Sequence, residues 1–266
     1  MPDKLTLMAI SALAYVVAVA LHEHLGHASA CVLLGSHPTE LGAFYVNCDD
    51  SRLSALGVRA VALAGPFVSV LTGIASFLVL PRLPSQASRA FYFTWLLGSI
   101  ALMDAAGYAA FSGVAGIGDL GVGEGGALDG AAPQWLWRIA LIAVGVVSYG
   151  QVMALSVRRI APRVGGAGTA RIRAARGIAL ISYLTGAAVY LAIGLLNPHG
   201  LLIVAVSALP ASLGGTSGLL WMMLGLAREP PVPGSGLYFA RSWGWIVVAS
   251  VITLGYAVFL GPTWRP

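Results

Sequence analysis

Long apolar runs, each closed by a short polar or Pro/Gly-rich break, dominate the chain. A membrane-crossing helix needs about 20 largely apolar residues. Charge-free stretches at Leu5–Leu21, Ala60–Leu80, Ile139–Val157, Gly177–Leu196, Leu201–Ala227 and Ser242–Gly261 meet or approach that length, and Ala90–Phe111 joins them if Asp104 is accepted inside it. The pattern predicts an all-α polytopic membrane helix bundle of about seven spans, since lipid-exposed backbone must satisfy its own hydrogen bonds. Turn chemistry marks the breaks at Pro81-Arg82-Leu83-Pro84, Gly165-Gly166, Asn197-Pro198-His199-Gly200 and Glu229-Pro230-Pro231. Leu41–Cys48 alternates and is rich in aromatic residues, so a short strand or hairpin is expected after the first helix. Residues 1–266 read as one integral membrane domain, with no repeat long enough for an inverted-repeat transporter.

Composition agrees. Charged residues make up 9% of the 266 and apolar types 58%, against about 25% charged in an ordinary soluble domain. A soluble enzyme, a coiled coil and a disordered chain are excluded. Fourteen of the 15 basic residues are arginine and the net charge is +5. Scattered over loops, that charge reads as topology and contact with the lipid bilayer, and no basic run suggests nucleic acid. With seven spans, Lys4, Arg82, Arg89, the six arginines from Arg158 to Arg176, Arg228 and Arg241 fall on one side, and Arg52, Arg59, Arg138 and Arg265 on the other. The expectation is a bacterial inner (plasma) membrane protein with its N-terminus in the cytoplasm and the Cys48 loop outside. Cys31 and Cys48, the only cysteines, would then lie near an oxidising face where one bridge can persist. Lys4 and the apolar run ending at Ala18-Val19-Ala20 imitate a signal peptide, but cleavage there would leave the following histidines at a frayed end, so retention is expected.

Those histidines form the densest chemistry in the chain: Leu21-His22-Glu23-His24-Leu25-Gly26-His27-Ala28. Ionisable groups in a membrane helix are costly and mark function by default. A zinc hydrolase helix carries H-E-x-x-H, because residues four apart share a face. Here the spacing is one longer, and in a regular helix His22 and His27 would diverge by about 140°. Two arrangements resolve this. A π-bulge near Gly26 restores the shared face and leaves Glu23 as the general base. Alternatively the helix stays regular and Glu23, His24 and His27 cluster, with Glu23 as ligand or base and His24 as an alternative metal ligand or base. The first keeps the His-Glu order that the chemistry uses and is favoured; His27 is a ligand in both.

A divalent ion needs a further anionic ligand. Asp104, alone in the middle of an apolar helix, is the first candidate. Asp119, in the Gly-rich loop after it, is the second.

His22-Glu23-x-x-x-His27, followed by Ala28-Ser29-Ala30-Cys31-Val32-Leu33-Leu34-Gly35, resembles the first core helix of the site-2 protease family of intramembrane zinc metalloproteases. Ala64-Gly65-Pro66-Phe67-Val68-Ser69 is similar to that family's Gly-Pro-x-x-Asn element, and Met103-Asp104-Ala105-Ala106-Gly107-Tyr108 to its Leu-Asp-Gly element. Ser69 stands where the family has Asn, and Ala105 where it has Gly. The resemblance covers roughly residues 15–120, making 1–120 a metalloprotease-like core and 133–266 additional transmembrane helices. It implies Zn²⁺ held by His22, His27 and Asp104, Glu23 as catalytic base, and a membrane-embedded protein or peptide substrate. It also implies a site near the cytoplasm, whereas the arginine count places the site nearer the outer face; the arginine bias is preferred.

The remaining features are ordinary. Gly121-x-Gly123-x-x-Gly126 matches a dinucleotide fingerprint but has no preceding strand, so it reads as part of a flexible loop, 113–132. Gly214-x-x-x-Gly218 suits close helix packing. Trp135, Trp137, Trp243 and Trp245 sit at span ends as interfacial anchors, Arg138 reads as a topology signal and His199 as a loop residue. The expected function is intramembrane peptide-bond hydrolysis. A catalytically inactive membrane binding protein and a small ion- or proton-coupled transporter are the alternatives.

Overall fold

The computed structural model describes residues 2–84, 86–166, 168–226, 229 and 236–266. Arg228 and the Pro230-Pro231 turn fall outside them. Among the described residues, seven helices are long and apolar enough to cross a membrane. In chain order they are α1 (Lys4–Leu33), α2 (Ala55–Val79), α3 (Ser88–Ala115), α4 (Gln134–Ile160), α5 (Gly168–Gly194), α6 (Leu201–Met222) and α7 (Trp243–Leu260). The fold is the expected all-α membrane bundle. The short hairpin is present as β1 (Pro38–Leu41) paired antiparallel with β2 (Val46–Cys48).

The first helix is the axis of the bundle. Asp3 caps its start by accepting from the Thr6 N–H at 3.0 Å. It then continues well past Leu21, where the apolar run stops. The first half of α1 lies against α3, α5 and α7, and its polar continuation packs on α2 and the hairpin, which covers Glu23, Gly26 and His27 and leaves Leu25 exposed. The buried hydroxyls along it are paired across helices. Ser11 and Ser182 both bond Tyr92, at 2.7 and 2.5 Å, and Tyr15 bonds Thr216 at 2.6 Å, while Tyr190 donates to the Tyr15 carbonyl. These hydroxyls thus have protein partners in place of water. The outer helices α4 and α7 instead show lipid-facing Val144, Val147, Val251 and Phe259.

Two loops shape the polar end. Cys31, on the last turn of α1, forms a disulfide with Cys48 on β2 and so clamps the hairpin to the helix. The segment 116–133 folds as consecutive turns, closed by Ala127 N–H to the Asp119 carbonyl (2.8 Å) and Leu128 N–H to the Gly121 carbonyl (3.1 Å). Its glycines serve this turn chain. Gly126 is one that cannot change, because a Cβ there would stand 2.3 Å from the Gly121 carbonyl oxygen. Arg138, read from sequence as a topology signal, also ties the end of α3 by donating to the Gly113 and Val114 carbonyls.

Replacing Cys31 and Cys48 together by Ser is expected to cost about 2–4 kcal/mol, because the bridge closes a loop of 17 residues in the unfolded chain. A thermal melt of purified protein with and without reductant checks this: the reductant should lower the wild-type midpoint and leave that of the double variant unmoved.

Candidate metal centre

The helix of α1 changes its winding over Leu21–Ala28, which is a π-helix. In a π-turn the backbone bonds run from i to i+5, so residues five apart, His22 and His27, return to one face. Their rings meet edge to face with centroids 5.0 Å apart. The regular-helix alternative is thereby excluded, and His24 goes elsewhere: its ring faces Tyr256 of α7 at 6.0 Å.

Three donor atoms converge. His22 Nε2 and His27 Nε2 are 3.2 Å apart, and Asp119 Oδ2 lies 3.1 Å from the first and 3.3 Å from the second. Ligand atoms about 2.0–2.1 Å from a tetrahedral ion are separated by about 3.3–3.4 Å, so the three separations are close to one face of such a tetrahedron. The outer ring nitrogens fix the inner ones. His27 Nδ1 donates to the Val61 carbonyl at 2.8 Å, and His22 Nδ1 bonds Ser69 Oγ at 2.9 Å. This is the arrangement that holds an imidazole in the ligating tautomer. The two Nε2 atoms and the carboxylate thus face one another, an approach that either a proton on a ring nitrogen or a bound cation satisfies.

Asp119 is delivered by its loop. Gly118, in the left-handed region at φ +84°, turns the chain directly before it. Burial pushes its carboxyl up, but the His27 charge and the hydrogen bonds from His27 and His22 outweigh burial and hold it well below the usual carboxylate range. The second-choice acid is therefore the one that meets the histidines. Asp104 does not. Its Oδ1 packs against Gly215 of α6, where a Cβ would stand 2.6 Å away, and among the described residues it joins no group of metal-ligand atoms. The physical reason is the helix face: Asp104 points toward α6, while the chain must leave α3 and turn back before an acid reaches α1. Glu23 is buried and lines the same cavity of about 460 Å³ as His27, Asp119 and Tyr108, with Asn47 and Cys48 of β2 along its rim. No protein-family model, curated protein or solved structure matches the chain.

Sequence reasoning missed the supports. Val61 acts only through its backbone and leaves no sequence signal. Gly65 was visible in the Gly-Pro element, but its role is steric: a Cβ there would stand 2.2 Å from His27 Nε2 and 2.7 Å from His22 Nε2. Gly26, on the π-turn, faces the same residue, with only 2.6 Å between its would-be Cβ and the Gly65 α-carbon. The two helices touch through bare backbone, and the imidazoles lie across Gly65.

Gly65→Ala should therefore displace both rings and cost about 1–3 kcal/mol. Its thermal midpoint in detergent should fall clearly below wild type, whereas Gly150→Ala, which meets nothing within 4 Å, should melt like wild type. Equal melting of all three would show that the crossing is looser than described.

Proposed function

We propose that the protein is a zinc-dependent peptidase that hydrolyses a peptide bond within or next to the bilayer, with His22, His27 and Asp119 as metal ligands and Glu23 as general base. The observation that carries this reading is the convergence of two oriented imidazoles and an ionised carboxylate beside a buried glutamate, on helices of membrane-spanning length. Two nitrogens and one oxygen form a typical zinc donor set, and three protein ligands leave a fourth position for reactants. Bound there, zinc supplies Lewis-acid polarisation of a carbonyl and activation of water.

The chain's own groups supply the rest. Glu23 follows the first ligand directly, so the π-turn that aims His22 also places the carboxylate in the cavity. It accepts a proton from the attacking water and returns it to the leaving amine nitrogen. Asp119 offsets cationic charge in a low-dielectric site. Ser69 is occupied in orienting His22 and takes a supporting role. The outer edge of β2 borders the cavity and pairs with no other strand among the described residues, which suits an extended peptide adding by main-chain hydrogen bonds. A hydrolysable bond must be extended for attack, and this edge favours that form over helix.

We further propose that the N-terminus is cytoplasmic and the hairpin lies on the oxidising side of a bacterial inner membrane. The Cys31–Cys48 bridge and the arginine asymmetry support the same orientation independently. In intact cells, after reduction, a membrane-impermeant maleimide should label Cys48. Labelling seen only in inverted vesicles would reverse the orientation.

Metal analysis of the purified chain should give one zinc per protein, lost in His27→Ala and Asp119→Asn and retained in Asp104→Asn. Bound zinc should fall as pH drops below about 6, since ligating imidazoles must be unprotonated. Glu23→Gln should keep its zinc and lose about a hundred- to ten-thousand-fold in cleavage of a model transmembrane peptide. Zinc retention in Asp119→Asn with loss in Asp104→Asn would overturn the ligand assignment; unimpaired cleavage by Glu23→Gln would overturn the mechanism.

A further inference from the structure

A second cavity, of about 360 Å³, lies between α3, α4 and α6. Its single carboxyl is that of Asp104. The Oδ1 atom is buried with no hydrogen-bond partner, and among the described residues no arginine, lysine or histidine forms an ion pair with this side chain. The surrounding wall is apolar and aromatic, with Tyr108, Phe111 and Tyr149 around the carboxyl. At its outer edge Val146 is exposed on the lipid-facing side of α4.

The sixth helix is built around this cavity. Its segments Val204–Ala208 and Pro210–Gly214 are π-wound, and the helix breaks over residues 215–217 before resuming at Gly218. Irregular backbone at membrane depth persists only where protein or a cavity satisfies it. Here the Tyr149 hydroxyl patches the break, donating to the Gly215 carbonyl at 2.6 Å and accepting from the Gly218 N–H at 2.7 Å. Tyr149 is thus fully committed, while Asp104 Oδ1 is not. Of the expected Gly214/Gly218 pair, Gly218 is closely packed, a Cβ there standing 3.0 Å from Met103 and Met153, while beside Gly214 it is Gly215 whose bare α-carbon leaves room for the Asp104 carboxyl.

A lone carboxyl in a membrane helix is protonated or paired. The lining decides what a partner would be. A hard metal cation requires several oxygen ligands, and one carboxyl amid aromatic rings does not supply them. An ammonium or guanidinium group on an apolar stem requires one carboxylate, aromatic faces and room for the stem, which describes this cavity. We propose that it is a binding site for such an organic cation, with Asp104 as its counter-ion. Tyr108 lines both this cavity and the metal-site cavity, and its ring stands 5.9 Å from that of His22. Asp104 and Tyr108 are one turn apart on the same face of α3, about 6 Å along the axis. A lysine or arginine side chain of a membrane-embedded peptide seated on Asp104 would therefore lie one wall away from the hydrolytic groups, making the cavity a specificity pocket for basic residues. That last step rests on the peptidase reading; the cation site does not.

The test uses the zinc-loaded full chain in nanodiscs, titrated calorimetrically with benzylammonium and with benzyl alcohol, which has a similar shape and no charge. Saturable benzylammonium binding is expected, roughly tenfold or more tighter than that of the alcohol, and reduced by a similar factor in Asp104→Asn. Ala211→Phe, which fills the cavity and leaves the carboxyl in place, should also abolish binding and guards against a misfolded Asp104 variant. Equal affinity for amine and alcohol, or binding indifferent to both substitutions, would overturn the site. For the source of the cation, transmembrane peptides carrying lysine or norleucine are compared. Preferential cleavage of the lysine peptide by wild type but not by Asp104→Asn identifies a substrate side chain. Asp104-dependent amine binding without cleavage of either peptide upholds the cation site as one for free lipophilic amines and counts against the peptidase reading alone.

Discussion

Everything at the polar end depends on the contact between Gly26 and Gly65. The π-winding of α1 is what turns His22 and His27 to one face, and π-turns are rare because regular α-helical bonding competes with them. Such a turn persists where its surroundings over-determine it. Here the surroundings are the backbone of α2. With no side chain on either glycine, the helices approach until the imidazoles lie on Gly65, and the same approach brings the Val61 carbonyl and Ser69 hydroxyl to the outer ring nitrogens. One steric requirement therefore sets the winding, the ring positions and the tautomers together. A side chain at either glycine would separate the helices and remove all three.

The two buried acids divide along the same logic. A carboxylate inside an apolar bundle must be matched by charge or stay neutral. Asp119 is matched: its loop folds it onto two imidazoles, and it remains ionised. Asp104 is unmatched by any described side chain and instead borders a cavity. Opposite this second acid α6 is broken, and Tyr149 satisfies its backbone there. A protein that needed only a packed bundle would place an apolar residue at 104 and keep α6 continuous.

Much of this was legible in the sequence, and the part that was not has a physical cause. The seven spans follow from run length, and the hairpin from alternation at Leu41–Cys48. A five-residue separation cannot share a face of a regular helix, and of the two arrangements that this spacing leaves open the π-turn is the one favoured, because it keeps the His-Glu order. The third acid was not legible in this way. Asp104 stood in an apolar helix at the place suggested by a familiar motif, while Asp119 stood in a glycine-rich loop whose path is set by turn geometry and contacts distant in sequence. The one local signal was Gly118 directly before the acid, a residue able to reverse the chain into the bundle. The apolar run ends near Leu21, whereas the helix itself continues to Leu33, packed there on α2 and the hairpin.

The position of Tyr108 connects these parts. On the proposed peptidase reading, water must reach the metal-site residues while the substrate keeps apolar surroundings, and a single open cavity would mix the two. In this chain Tyr108 lines both the cavity with Glu23, Asp119 and β2 and the apolar cavity that the lipid-facing Val146 also lines. A phenol suits that boundary, since its ring is compatible with the apolar side and its hydroxyl with the wet side. The i, i+4 spacing to Asp104 sets about 6 Å along α3 between the unpartnered carboxyl and the residue that borders the metal-site cavity, so on the proposed reading the helical repeat of α3 is the ruler between a bound cation and Glu23.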